Sequence, residues 1–186
     1  TYSYLSAMRI EEDAARAGVQ LTWRPFLLGP IFRAQGWASS PFNVYPAKGR
    51  YMIRDMERLA AARALPFRMP ATFPANGIAA ARMAIVAARD GVAGPFVRAV
   101  YTAQFGAGAD ISDADVLSRV AEGIGLDFAR LSASASAQDV KDELRRSSEE
   151  AQALGIFGAP TFQTADGELF WGDDRLDQAL GWSSRL

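Results

Sequence analysis

The chain has 186 residues, of which 49% are hydrophobic, and its formal net charge is -1. This length is ample for one elaborated domain or two small ones with a real hydrophobic core. The near-neutral charge gives no reason to expect a nucleic acid or an anionic membrane as a partner. No apolar run reaches the ~20 residues of a membrane span, and no signal peptide is visible. These features predict a compact, cytoplasmic protein.

The sequence contains neither Cys nor His. The absence of Cys excludes a disulfide, a thiolate nucleophile and a Cys-based metal site within these residues. The absence of His removes the usual general base near neutral pH and a His-ligated zinc. We therefore predict no metal site, and any reaction at neutral pH must borrow its reactive group from elsewhere.

The N-terminal part predicts a helix, a strand and a loop in that order. The helix runs from Ser3 to about Ala17, with Gly18 as its stop. Apolar and polar residues then alternate, which predicts a strand over residues 19–28. Gly, Pro, Ser and Asn predict a loop from Gly36 to Pro46.

The rest of the segment from Ile31 to Ser136 is predicted to be almost wholly helical. In this segment, helices are expected over residues 48–64, 76–89, 92–105, from 112 onward and over 127–133. A long helix over residues 137–154 is expected to follow the segment. Near the C-terminus, Asp166-Gly167 between two β-prone runs predicts a hairpin of residues 161–164 and 168–171. Asp173 or Asp174 is suited to the N-cap of a last helix.

Pro160 stands at the predicted beginning of the first hairpin strand. A proline removes one ladder donor, so it belongs at a strand start or in a tight turn. A cis Ala159–Pro160 bond would leave the N–H and C=O of Ala159 free to pair with an extended ligand. The alternative is an ordinary trans proline that opens an edge strand, since only about 5–6% of X-Pro bonds in folded proteins are cis.

Several segments, in the same order along the chain, resemble one family. They are Thr1-Tyr2-Ser3-Tyr4-Leu5, Pro46 to Tyr51 with Asp55 and Arg58, Phe73-Pro74-Ala75-Asn76, Gly158 to Phe162, and Trp171 to Leu176. Together they resemble 2-hydroxychromene-2-carboxylate isomerases and kappa-class glutathione transferases, which are proteins of the DsbA-like thioredoxin fold. Each motif is moderately specific, and the ordered set is much more so.

The resemblance implies an α/β fold, a thioredoxin-like domain with an all-helical insertion. Residues 1–30 and 137–186 would form the thioredoxin-like domain, and residues 31–136 the insertion. The family pattern places a first strand and a catalytic Ser before the residue that corresponds to Thr1. We therefore expect the catalytic residue immediately upstream of Thr1.

The resemblance also implies glutathione as the cofactor. Its peptide backbone would pair with Ala159 beside Pro160, and its γ-glutamyl end would lie at Gly172, Asp173 and Asp174, with Arg175 as a further contact. The family usually has Asn or Ser where this chain has Asp173. A second carboxylate beside the ligand's own would be repulsive, so Asp173 is expected to point elsewhere or to alter the preferred thiol.

The implied reaction is the isomerisation of an unsaturated acid from aromatic degradation. The glutathione thiolate would add reversibly to a conjugated carbon, allow rotation and then leave. Lys48, Tyr51 and Asn76 are candidates at the substrate end, where Lys48 would neutralise an organic acid. The alternatives are a solvated Lys48, a Tyr51 that braces its own helix and an Asn76 that only caps a helix.

Other functions stay open on the sequence alone. They are a kappa-type transferase, in which the thiolate stays attached to its electrophile, a thiol oxidoreductase, and a binding protein without catalysis. A dithiol oxidant is disfavoured, since the second Cys of a Cys-x-x-Cys pair that starts before Thr1 would fall at Ser3. A homodimer is expected because dimers are common in the family.

Overall fold

The computed structural model describes the whole chain, residues 1–186, and it is mostly helical. The helices are α1 Tyr2–Ala7, α2 Ile10–Ala17, α3 Leu28–Ala34, α4 Pro41–Val44, α5 Pro46–Ala62, α6 Ile78–Arg89, α7 Ala93–Tyr101, α8 Ala114–Gly123, α9 Phe128–Ala135, α10 Gln138–Ala153 and α11 Leu176–Ser183. The strands are β1 Thr161–Gln163 and β2 Leu169–Trp171. A π-helical turn, Thr102–Gly106, continues α7, and a 3-10 turn, Asp173–Arg175, precedes α11.

The predicted first helix is two helices, α1 and α2, that meet at Met8 and Arg9. Arg9 has φ -125° and ψ -20°, outside the α-helical range, and its guanidinium bonds Asp13 and Asp177. No Gly or Pro signals this break in the sequence. The predicted stop is confirmed, since Gly18 closes α2 in the left-handed conformation at φ 67°.

The prediction of a strand over residues 19–28 is wrong. The structure has no strand there, and α3 already begins at Leu28. Residues 20–26 make no backbone–backbone hydrogen bond. The alternating pattern indicates an extended chain, but a strand exists only where a second strand lies beside it to complete the ladder.

The predicted hairpin is confirmed. β1 and β2 are antiparallel, with Thr161 opposite Trp171 and Gln163 opposite Leu169. The turn closes through a hydrogen bond from the Thr164 amide to the Glu168 carbonyl, at 3.0 Å. Gly167 has φ 91° in this turn, a conformation that L side chains rarely adopt. The Asp-Gly pair thus has the role that the sequence predicted for it.

The helices of the central segment are confirmed within a few residues of their predicted ends. The Asp113 carboxylate caps α8 by accepting from the Asp115 amide, and Asp127 caps α9 in the same way. The predicted loop over 36–46 contains α4. The Ser40 hydroxyl caps this short helix, and a proline stands at its first position.

Two hydrophobic clusters hold the helices together. The larger cluster joins α6, α7, α8, α9 and α10, and it includes Phe96, Leu117 and Leu144. The smaller cluster packs α1 against α5 and against the π-helical turn. It contains Tyr4, Leu5, Met52, Met56, Ala60 and Phe105. Tyr4 also donates a hydrogen bond to the Pro66 carbonyl at 2.8 Å.

Both clusters contain residues from the two predicted domains, because α10 packs with the central helices and α1 packs with α5. The division into residues 1–30 with 137–186 and residues 31–136 stays a prediction. None of the helices combines the length and the apolar character that crossing a membrane requires.

Candidate active site

A large cavity of about 1760 Å³ opens between α1, the extended residues 19–27, α5 and the hairpin. Its lining brings together seven of the nine predicted site residues, namely Lys48, Tyr51, Ala159, Pro160, Gly172, Asp173 and Asp174. These residues come from two parts of the chain that lie more than a hundred positions apart. The predicted ligand end and the predicted substrate end therefore border one cavity.

The Ala159–Pro160 segment forms the edge of this cavity beside β1, and its peptide bond is cis. The backbone N–H and C=O of Ala159 make no hydrogen bond within the chain. The Pro160 carbonyl accepts from the Gly172 amide at 2.9 Å, so this edge is tied to the turn after β2. Ala159 thus presents one free donor and one free acceptor to the cavity.

The turn after β2 places a carboxylate against bare backbone. Gly172 has φ 109°, and a Cβ added there would lie 2.6 Å from Oδ1 of Asp174. The conformation favours glycine, whereas the exposed Asp174 side chain could move aside for a Cβ. Asp174 is exposed, and its Oδ2 lies 3.3 Å from Nη1 of Arg175. The amides of Gly172 and Arg175 are already bonded, so the amides of Asp173 and Asp174 remain as donors for a bound carboxylate.

Asp173 turns its side chain away from the exposed face of this turn and is only 4% exposed. Its Oδ1 accepts from the Ser6 hydroxyl at 2.8 Å and from Nη1 of Arg63 at 3.0 Å. Its Oδ2 accepts from Nη2 of Arg63 at 2.6 Å. A bidentate guanidinium therefore neutralises the carboxylate that stands where the family usually has Asn or Ser, and the repulsion expected from the sequence is offset.

The substrate end lies on α5 and includes a cation that has no acidic partner. Lys48 has no carboxylate within salt-bridge distance, and its ammonium lies 5.9 Å from the Phe42 ring centroid. The Tyr51 ring is 63% exposed, and the Arg58 guanidinium lies 5.7 Å from its centroid. Tyr51 thus both borders the cavity and contacts its own helix.

Tyr2 and Asp55 form a second polar pair on the cavity wall. The Tyr2 hydroxyl donates to Oδ2 of Asp55 at 2.9 Å, and Oδ1 of Asp55 accepts from Arg58 at 3.0 Å. Burial, and then the hydrogen bond and charge of Asp55, raise the pKa of Tyr2 above its ordinary value. Tyr2 is therefore a neutral phenol at physiological pH.

Two predicted residues do not line the cavity. Asn76 lies on a separate small pocket at the beginning of α6, where its Oδ1 accepts from the Ile78 amide at 3.2 Å. This is the helix-capping alternative, and the structure does not bring Asn76 to Lys48 and Tyr51. Arg175 pairs with Asp174 beside the cavity, so it can act on a ligand only through that neighbour or by reorienting.

Arg63 and Ser6 also line the cavity, although no motif in the sequence indicates them. Arg63 follows α5 as its C-cap, and Ser6 lies in α1. The only signal was the unusual Asp173, which asks for a compensating cation. The chain has 20 Lys and Arg residues, so the sequence alone does not indicate which of them supplies it.

The arrangement offers groups that can bind and orient a ligand, but it contains no residue that makes a strong nucleophile. The described side chains offer peptide donors and acceptors at Ala159, an exposed carboxylate at Asp174 and a free ammonium at Lys48. Such a site suits a zwitterionic peptide at one end and an organic anion at the other.

Comparison with known proteins identifies the family of the chain. The family model of the DSBA-like thioredoxin domain matches residues 1–181. The 2-hydroxychromene-2-carboxylate isomerase of Sphingobium xenophagum is 33% identical over 177 residues, which cover 95% of this chain and 89% of that protein.

Two solved structures share the fold. A 2-hydroxychromene-2-carboxylate isomerase superposes with a TM-score of 0.86 and 23% identity, over 99% of this chain and 89% of that one. A probable DsbA oxidoreductase from Streptomyces coelicolor superposes with a TM-score of 0.75 and 22% identity, over 98% of this chain and 84% of that one. The chain therefore belongs to the DsbA-like thioredoxin family, in the branch that contains 2-hydroxychromene-2-carboxylate isomerase.

Proposed function

We propose that this protein is a glutathione-dependent isomerase that acts on an unsaturated, aromatic-derived acid of the 2-hydroxychromene-2-carboxylate type. The isomerase relative, identical at one position in three over nearly the whole chain, supports the reaction class. The observation that supports glutathione as the cofactor is the unbonded backbone of Ala159 beside the Gly172–Asp174 turn. A cytoplasmic homodimer stays a prediction.

The residues at this edge fit glutathione by their chemistry. Ala159 can pair with the cysteinyl backbone as an added strand does. The Asp174 carboxylate can accept from the γ-glutamyl ammonium, and the amides of the turn can donate to its carboxylate. When bound, glutathione supplies the thiolate that the chain lacks, which can add reversibly to a conjugated carbon.

The opposite wall would hold the substrate. Lys48 is suited to an organic carboxylate because no acidic side chain neutralises it. The Tyr51 phenol can donate to a carbonyl or hydroxyl of the same molecule. The hydrogen bond to Asp55 keeps Tyr2 protonated. Tyr2 can therefore orient a polar group of the substrate without transferring a proton to it. The remaining aromatic side chains of the cavity provide apolar walls.

A calorimetric titration of reduced glutathione into the full-length protein tests the cofactor. We expect saturable binding that Asp174→Ala weakens about fivefold, which corresponds to about 1 kcal/mol for an exposed charge-assisted hydrogen bond. Asp115→Ala is the matched control, because Asp115 is also an exposed acidic residue, in the first turn of α8. It removes the same charge at a residue that does not line the cavity.

Two further measurements separate the reaction classes. The isomerisation of 2-hydroxychromene-2-carboxylate is followed by absorbance with and without glutathione, and thiol content is measured at the end. Turnover with all thiol recovered supports an isomerase, whereas a stable thioether product indicates a transferase. No binding at millimolar glutathione, or an equal loss with Asp115→Ala, would contradict the proposal.

A further inference from the structure

The buried carboxylate of Asp173 joins three elements that each carry part of the candidate site. Ser6 reaches it from α1, Arg63 reaches it from the end of α5, and Asp173 itself belongs to the turn that precedes α11. The turn carries Gly172 and Asp174, and α5 carries the substrate-end candidates. The network therefore ties the predicted ligand end to the C-terminal end of α5, the helix whose first turns carry Lys48 and Tyr51.

The geometry of the Arg63–Asp173 pair is specific. Two parallel N–H···O bonds of 3.0 and 2.6 Å fix both the distance and the relative orientation of the two groups. A lysine would give one point contact in place of this fork. The Asp173 side chain is 4% exposed and that of Arg63 is 28% exposed, so water screens the pair only from the arginine side.

Arg63 is held at this place by the end of its own helix. It is the C-cap of α5, where a cation interacts favourably with the helix dipole. The chain then reverses at Ala64, which has φ 53°, and the Leu65 amide bonds back to the Ala60 carbonyl at 2.9 Å. The guanidinium thus projects from a fixed corner rather than from a mobile loop.

We propose that Arg63 is a positioning and specificity residue for the thiol ligand. By neutralising and orienting Asp173, it holds the Gly172–Asp174 turn in the position that receives the γ-glutamyl end, and it keeps an unpaired negative charge away from the γ-glutamyl carboxylate. This inference rests on the proposed glutathione site. It assigns to Arg63 a preference of the site for γ-glutamyl thiols.

The test uses the full-length protein with Arg63→Met, Asp173→Asn and the double variant R63M/D173N. Calorimetry measures the Kd of reduced glutathione and of cysteinylglycine, which lacks the γ-glutamyl group. We expect Arg63→Met to weaken glutathione roughly tenfold, about 1.4 kcal/mol, and to leave cysteinylglycine within about twofold. The double variant is expected to regain most of the affinity, because its carboxamide at this position is neutral and can still accept from Ser6.

Arg54→Met is the matched control, since Arg54 lies on the same helix in an exposed pair with Glu57. An equal loss of both thiols in Arg63→Met would mean general loosening and would overturn the inference, as would unchanged glutathione binding. Failure of the double variant to recover would also overturn it. If the wild-type protein binds no glutathione, the proposed function fails together with this inference, whereas wild-type binding with unaffected variants refutes the inference alone.

Discussion

The Arg63–Asp173 pair predicts an asymmetric effect on stability. Arg63→Met leaves a carboxylate that is 4% exposed, with the Ser6 hydroxyl as its one remaining hydrogen-bond partner and the charge of Arg9 still acting on it. Asp173→Asn leaves an arginine that is 28% exposed and can turn toward water. The two substitutions break the same pair, but they leave different charges behind.

The magnitude follows from what each variant leaves behind. Removing one partner of a buried ion pair costs about 3–5 kcal/mol, chiefly because the other charge stays buried. Arg63→Met is expected near the lower end of that range, at about 3 kcal/mol. Asp173→Asn is expected to cost about 1 kcal/mol, because solvent compensates Arg63 and the carboxamide still accepts from Ser6. A domain of ordinary stability remains folded in both cases.

Equilibrium unfolding in urea near pH 7 measures these costs, with the wild type, both single variants and the double variant on one protocol. Arg54→Met provides the reference for the loss of an exposed pair, which is expected to stay within about 0.5 kcal/mol. The reasoning is refuted if Arg63→Met lowers the free energy of unfolding no more than Arg54→Met does. It is also refuted if Asp173→Asn lowers it more than Arg63→Met does, because the buried charge of Asp173 would then not explain the loss of stability.

Two other perturbations test local features. In Gly49→Ala the new Cβ would lie 2.3 Å from the Phe42 carbonyl oxygen, so α4 must move away from α5, whereas Gly181→Ala meets nothing within 4 Å. In urea unfolding, we expect Gly181→Ala to raise the free energy of unfolding by about 0.5–1 kcal/mol. Gly49→Ala is expected to be less stable than Gly181→Ala by about 1–3 kcal/mol. Equal changes in the two variants would refute the contact with Phe42. Hydrogen bonds from Thr164 and Trp182 lower the pKa of Asp166. The wild type should therefore be more stable than Asp166→Asn above about pH 4, and that advantage should vanish as the pH falls through the folded-state pKa, whereas a pH-independent difference would contradict this linkage.

Short stretches of sequence predict much of the local structure. Asp166-Gly167 predicts the hairpin and Gly18 predicts a helix end, since each acts on neighbouring residues. The absence of Cys and His and the ordered resemblance were likewise legible without coordinates. The ordered resemblance indicated the family that the comparisons show.

The tertiary structure alone decided which groups meet across the chain. The alternating pattern of residues 19–28 did not become a strand, because ladder pairing requires a partner that the pattern does not encode. Asn76 caps a helix away from the cavity, and Asp173 is buried against Arg63, 110 positions earlier. Backbone propensity acts over a few residues and is legible in sequence, whereas the partner of a buried charge is chosen by packing, which brings distant residues together.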